Sequence, residues 1–67
     1  MTISYNDQNI KLPDEIITLA DLAKWKKIPE QGAAIALNDK LVTKSQWSVV
    51  KLNDLDRVTV ITAAYGG

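Results

Sequence analysis

The side chains that most often perform catalysis are missing from this 67-residue sequence, which has neither histidine nor cysteine. Without them the chain lacks the commonest general base and the strongest nucleophile available near neutral pH. Ser4, Ser45 and Ser48 have no imidazole to activate a hydroxyl. The phosphate-binding motifs G-x-x-x-x-G-K-S/T and G-x-G-x-x-G are absent as well. We therefore predict that the protein is not itself an enzyme and has no catalytic residue.

Two pairs of acidic residues are the remaining candidates for a cation site. Asp14 and Glu15 are adjacent, so their side chains point apart in an extended segment. Asp54 and Asp56 lie two residues apart in a predicted loop. Neither pair has the ligand number or the spacing of an EF-hand, and acids in such loops are usually solvated turn formers. We predict that the chain has no metal ligand and binds no cofactor of its own.

The charge balance and the hydropathy pattern restrict the class of partner. Eight basic residues balance eight acidic ones, so no net positive charge favours nucleic acid. The lysines at positions 24, 26 and 27 are typical of a solvated helix end, where the helix dipole favours cations. No segment approaches the ~18 apolar residues of a membrane span, and the first residues lack the pattern of a signal peptide. We expect a cytoplasmic protein with no nucleic-acid or membrane partner.

The final segment, Ala-Ala-Tyr-Gly-Gly, has the composition that most favours chemistry. Gly66 and Gly67 lack a Cβ, so they can thread a narrow channel and present a carboxylate with no side chain beside it. A partner could use ATP to convert that carboxylate to an acyl-adenylate, and a sulfur nucleophile could displace AMP to leave a thiocarboxylate. Since the chain has no cysteine, sulfur could be carried only at this terminus. The alternative is a frayed end without a function.

The elements that would position this terminus follow from the hydrophobic periodicity. Strands are predicted at residues 2–6, 10–12, 33–37, 41–43 and 57–62, a helix at 18–27, and one helical turn at 44–47. Thr18 and Asp21 have the spacing of a capping box, which predicts the start of the helix, and Pro29 lies just beyond its end. This order predicts an α+β fold with one helix on one face of a sheet.

The last predicted strand is rich in β-branched residues, which favours a central place in the sheet beside the first strand. Val58 and Val60 share one face of it, and we predict that they enter the core. Thr59 and Ile61 share the other face, where together with Ala36 they could form an apolar patch for docking a partner. In the alternative arrangement, loop or tail residues cover Ile61. The two tryptophans, at positions 25 and 47, are predicted to pack in the core or at its rim.

Several segments together resemble one known family. They are Ile3-Ser4-Tyr5-Asn6, the stretch from Ile35 to Val42, Lys44, the Gln46-Trp47 pair, the stretch from Asp54 to Val58, and the terminal Gly66-Gly67. In these segments and in its length the whole chain is similar to the ThiS family, the sulfur carrier proteins of thiamine biosynthesis within the ubiquitin-like superfamily. The resemblance implies a β-grasp fold, which is a mixed sheet of about five strands with one main helix packed on one face. It also implies a single domain, residues 1–67, in which residues 63–67 form a flexible C-terminal tail.

The resemblance also implies partners for the terminus. A ubiquitin-activating-like enzyme would adenylate Gly67 with ATP, a cysteine desulfurase or rhodanese-type donor would supply sulfur, and thiazole synthase would receive it for the thiazole ring of thiamine. Gly66 and Tyr65 would thread into these partners with the tail.

Two departures from the family pattern concern the fit to particular partners. Thr43-Lys44 stands where members often have Pro-Arg, and Tyr65 is bulkier than expected before the glycines.

Three other functions remain open from the sequence. A sibling carrier that feeds molybdopterin or cysteine synthesis would use the same terminal chemistry. A ubiquitin-like modifier would be joined through the same terminus to lysines of target proteins. A non-covalent interaction module would make no use of the terminal glycines.

Overall fold

The computed structural model of the protein describes residues 1–29 and 31–62. Its elements are β1 (Thr2–Tyr5), β2 (Gln8–Lys11), α1 (Leu19–Trp25), β3 (Ala33–Leu37), β4 (Lys40–Val42), a 3₁₀ turn (Lys44–Gln46) and β5 (Arg57–Thr62). Every predicted element is present in the predicted order. The helix is shorter than the predicted 18–27, and β2 and β4 each begin earlier than predicted.

Both hairpins turn on an Asn-Asp pair. Asn6 and Asp7 have φ angles of 47° and 68°, and Asn38 and Asp39 have φ angles of 50° and 70°. Two successive residues in the left-handed region form a type I′ turn, whose twist matches that of the flanking strands. Asn and Asp enter this region at lower cost than most residues, so the sequence itself fixes the two-residue loops and thereby the register of both hairpins.

The five strands form one mixed sheet in the order β2-β1-β5-β3-β4. The central strand, β5, runs parallel to β1 and antiparallel to β3. Its central place beside the first strand is as predicted, and its β-branched side chains suit a strand that is paired on both edges. The α+β prediction is confirmed.

The core lies between the sheet and α1. Its buried residues are Ile3, Leu12, Ile16, Leu19, Leu22, Ala23, Ile28, Ile35, Trp47, Leu52 and Val58. Val58 is fully buried and Val60 packs half-buried against the same cluster, as predicted for their shared face. Trp47 is in the core as predicted, with 5% of its surface exposed.

The prediction for Trp25 was wrong, since 42% of its surface is exposed. The buried stripe of α1 is formed by Leu19, Leu22 and Ala23, and the next position on that stripe is residue 26 rather than residue 25. Trp25 therefore ends the helix on a different face, and Lys26 occupies the position that continues the apolar stripe.

The helix begins and ends in two capping motifs. The Thr18 hydroxyl accepts the Asp21 N–H at 3.1 Å, and the Asp21 carboxylate accepts the Thr18 N–H at 3.1 Å, which confirms the predicted capping box. At the other end Lys27 adopts a φ of 57°. Its N–H bonds the Lys24 carbonyl, and the Ile28 N–H bonds the Ala23 carbonyl at 2.8 Å. This Schellman motif ends the helix two residues before the predicted end, because a left-handed residue cannot continue it.

The capping box predicts that the stability of the protein depends on pH. The N–H groups of Thr18 and Ile17 donate to the Asp21 carboxylate, and these bonds hold the pKa of Asp21 below its ordinary value of 3.8. The folded chain therefore binds this proton less tightly than the unfolded chain. The stabilisation is complete above the ordinary pKa and is lost as the pH falls through the lowered pKa.

We expect Asp21→Asn to lower the free energy of unfolding at about pH 7 and to have a smaller effect at about pH 2. Thr18→Ala, which removes the other half of the box, should cost about 1 kcal/mol near neutral pH. Urea unfolding at both pH values measures these effects, and Asp14→Asn, an exposed acid outside the cap, is the matched control. An effect of Asp21→Asn that is equal at both pH values would contradict this account of the cap.

Candidate functional site

The terminal residues that the sequence singled out, Tyr65, Gly66 and Gly67, lie outside the described residues. The structure does show where the chain that leads to them leaves the sheet. The last described residue is Thr62, at the end of the central strand and opposite Ala33 of β3. The tail therefore starts from the middle of the sheet rather than from an edge.

Hydrogen bonds from both sides hold the second half of β5 in place. On one side β3 pairs with β5 from Val58 to Thr62. On the other side β1 ends early, and the hairpin turn takes over, because the Asn6 side chain accepts the Val60 N–H at 2.7 Å. The Asn6 N–H also donates to the Val58 carbonyl at 2.9 Å. The strand that carries the tail is thus fixed beyond the end of its parallel partner.

The start of β5 is held by a buried carboxylate. Asp56 was predicted to be a solvated turn former, and that prediction was wrong, since the residue is buried. Its carboxylate accepts the Asn53 N–H at 2.7 Å and the Asn38 side-chain amide at 3.0 Å, while the Asn38 amide oxygen accepts the Arg57 N–H at 2.9 Å. The Asn38 side chain therefore joins the β3–β4 turn both to the Asp56 carboxylate and to Arg57, the first residue of β5. Asn38 and Asp56 both belong to segments that carried the family resemblance, but their contact links positions 18 apart in the sequence.

Asp54 precedes Asp56 by two residues in the same loop. Asp54 is exposed, and its carboxylate accepts the Thr2 N–H at 2.8 Å. Among residues 1–29 and 31–62 no group of three or more His, Cys, Asp or Glu side chains could hold a metal ion. Nor does this part of the chain contain a helix long and apolar enough to cross a bilayer.

The face of the sheet opposite α1 carries the three residues of the predicted docking patch. Ala36 lies directly opposite Thr59, and Ala34 lies opposite Ile61, on the adjacent strands β3 and β5. Ile61 is 60% exposed, so no described residue covers it in the way the alternative arrangement required. The structure therefore brings Ile61, Thr59 and Ala36 together on one face.

Register adds residues to this patch that the sequence did not identify. Leu41 of β4 pairs with Ala36 and is 70% exposed. The result is a strip across three strands, called the open-face strip below, formed by Ala34, Ala36, Leu41, Thr59 and Ile61. Leu41 was missed because a single apolar residue in a three-residue strand shows its face only once its pairing partner is known.

One edge of the open-face strip is polar. Arg57 lies two positions before Thr59 on the same face, and its guanidinium pairs with the carboxylate of Asp39. Both side chains are exposed, so the pair contributes little stability. A polar edge beside an apolar strip is the usual organisation of a surface that docks another protein.

Comparison with known proteins identifies the family. The model of the ThiS family matches residues 3–67, a range that reaches the two terminal glycines. The chain belongs to the ThiS family. This family consists of small sulfur carrier proteins of thiamine biosynthesis that act together with sulfur-transfer partners. Comparison with curated proteins gave no match.

A solved structure confirms the fold. The crystal structure of a thiamine biosynthesis protein (ThiS) from Geobacter metallireducens superposes with a TM-score of 0.83, and the match covers 100% of each chain. The two sequences are 16% identical, so this likeness supports the fold alone. The β-grasp fold that the resemblance implied is thereby confirmed.

Proposed function

We propose that this chain carries sulfur as a thiocarboxylate on Gly67 and donates it for thiazole formation in thiamine biosynthesis. The observation that carries the proposal is the family match through residue 67 in a chain without cysteine. A sulfur carrier without a thiol must bind sulfur at another group. The terminal carboxylate is the group that can be activated to accept it.

The proposed chemistry takes place on partner enzymes. A ubiquitin-activating-like enzyme binds ATP, and a Gly67 carboxylate oxygen attacks the α-phosphorus, so that pyrophosphate leaves and an acyl-adenylate forms. A persulfide from a cysteine desulfurase or rhodanese-type donor attacks the acyl carbon, and AMP leaves. A thiol then cleaves the sulfur–sulfur bond and releases the thiocarboxylate, which thiazole synthase consumes. The chain itself supplies the acyl group and the surfaces that dock it.

Two structural features support this role. β5 is paired on both sides, so the tail leaves from a rigid base, and Gly66 and Gly67 place no side chain against the walls of a narrow channel. Two residues of the open-face strip, Thr59 and Ile61, lie on the strand that leads to the tail. A partner that docks on the strip is therefore positioned to receive the terminus.

Ile61→Asp should weaken binding of the adenylating enzyme about tenfold or more, because an unpaired carboxylate would have to be buried in the interface. The fold should be unaffected, since Ile61 is largely exposed in the free protein. Titration with the purified enzyme measures the affinity. Val49→Asp, which introduces the same charge at a residue 65% exposed and outside the strip, is the matched control. Equal affinities of Ile61→Asp and wild type would rule out docking through the strip.

A growth experiment tests which product receives the sulfur. Deletion of the gene should create a requirement for thiazole, and supplied thiazole should restore growth. A strain that instead requires cysteine, or that loses the activity of its molybdopterin-dependent enzymes, would assign the carrier to a sibling pathway. Lysine-linked adducts of the chain on a denaturing blot would instead indicate a protein modifier.

A further inference from the structure

A cluster of two aromatic rings and a lysine lies on the helix side of the molecule. The Lys26 ammonium is 4.8 Å from the centroid of the Tyr5 ring and 5.6 Å from that of the Trp25 ring. Both distances are within the range at which a cation is attracted to an aromatic face. These three residues are called the tail-exit cluster below.

The sequence explains why the cluster forms. Lys26 continues the buried stripe of α1 at the point where the helix ends, and its side chain is exposed there. There it meets Tyr5, the last residue of β1, which packs half-buried against the core and whose pKa is raised by that burial. The neutral Tyr5 ring and the exposed Trp25 ring hold the ammonium in place without neutralising its charge.

Topology places this cluster at the end of the molecule from which the tail departs. Tyr5 pairs with Val58 in the parallel β1–β5 pair, and the turn that follows Tyr5 bonds Val60. After α1 the chain passes into β3, whose first residue lies opposite Thr62. Because β1 and β5 run parallel, Tyr5 at the end of β1 lies toward the end of the sheet at which β5 finishes. Residues 63–67 can extend at most about 18 Å from Thr62, so an enzyme that holds Gly67 must lie close to this end.

Lysines are concentrated around the cluster. Lys24, Lys26 and Lys27 fall within four residues of a chain whose formal net charge is zero. Within the described part of the chain, the only ion pair is Arg57–Asp39, so no described carboxylate lies within 4.0 Å of these lysines. Trp25 and Tyr5 are of the residue types that are enriched in interface hot spots.

We propose that the tail-exit cluster is a second docking surface, which binds an acidic rim around the channel of the adenylating enzyme that receives the tail. Trp25 packs against this rim, and Lys26, flanked by Lys24 and Lys27, faces its carboxylates. The inference rests on the proposed function and adds a contact on the face of the sheet opposite the open-face strip. The enzyme would accordingly contact both faces of the sheet, one through each docking surface.

Affinities for the purified adenylating enzyme test this surface. Trp25→Ala should weaken binding about tenfold or more, as expected for a central aromatic residue. Lys26→Glu should weaken it by a similar factor at low ionic strength and by less at high ionic strength, because the attraction between charges is screened. Lys51→Glu makes the same charge change beside Thr18, at the opposite end of α1, and should bind like wild type. Unfolding midpoints identify any variant that has lost its fold. Lys26→Glu should keep the fold, because it changes an exposed side chain.

A second readout separates this inference from the proposed function. At saturating carrier, both variants should be thiocarboxylated to the extent of wild type, because the terminus is intact. If wild type is thiocarboxylated and Trp25→Ala and Lys26→Glu bind as tightly as it does, the docking surface is ruled out and the proposed function stands. If wild type itself is neither bound nor thiocarboxylated, the proposed function fails, and this inference fails with it.

Discussion

Deletion of Gly67 should reduce thiocarboxylate formation at least about 100-fold, because the remaining carboxylate would lie one residue short of the position where the enzyme activates it. One residue of extended chain spans about 3.5 Å, which is far more than the misplacement that a reacting group tolerates. The free energy of unfolding should not change, since the core is formed by residues 3–58. ATP–pyrophosphate exchange and thiocarboxylate yield measure the loss.

Two controls sharpen this result. Gly67→Ala keeps the length of the chain and adds one methyl group, so it isolates the need for a terminus without a side chain. Deletion of Met1 removes one residue from the other terminus and should leave the yield unchanged. If the chain without Gly67 were loaded at the wild-type rate, the carboxylate of Gly67 could not be the carrying group.

Trp47→Ala should destabilise the fold by about 3–5 kcal/mol, which is the cost of removing a buried aromatic side chain. That loss is comparable to the whole stability of a chain of this length, which is roughly 3–10 kcal/mol. Trp47 is buried, its indole N–H donates to the Val42 carbonyl at 3.1 Å, and its own carbonyl accepts the Ala20 N–H of the helix at 2.9 Å. We expect a largely unfolded variant, measured by circular dichroism and urea titration.

The other tryptophan supplies the control for this prediction. Trp25→Ala is the same change at a side chain that is 42% exposed, and it should cost much less. Trp47→Phe should fall between the two, because the phenyl ring restores part of the packing but leaves the Val42 carbonyl without its donor. Similar unfolding midpoints for Trp47→Ala and Trp25→Ala would contradict the assignment of Trp47 to the core.

The features that could be predicted from the sequence depend on neighbours along the chain. The capping box needs only Thr18 and Asp21, and each type I′ turn needs only an Asn-Asp pair between alternating residues. The central place of β5 followed from a run of β-branched residues in one segment. The alternation along β5 was also sufficient to place Thr59 and Ile61 on one face.

The features that were missed depend on contacts between distant segments. The burial of Asp56 is decided by a turn 18 residues away, and the place of Leu41 in the open-face strip is decided by the register of β4 against β3. Trp25 was misplaced because positions 25 and 26 differ by about 100° in direction around the helix axis, and a short helix gives few residues with which to choose between them. Apart from the central place of β5 beside β1, the strand order was not predicted, since periodicity does not determine which strands pair.

The central claim is that sulfur is carried on Gly67, and the most direct test is the intact mass of the protein after incubation with ATP, the adenylating enzyme and a persulfide donor. We predict a gain equal to the exchange of one oxygen for one sulfur, and fragmentation should locate it at Gly67. An unchanged mass, with the same enzyme and donor active on another carrier protein, would contradict the claim. The same mass gain located anywhere else in the chain would contradict it as well.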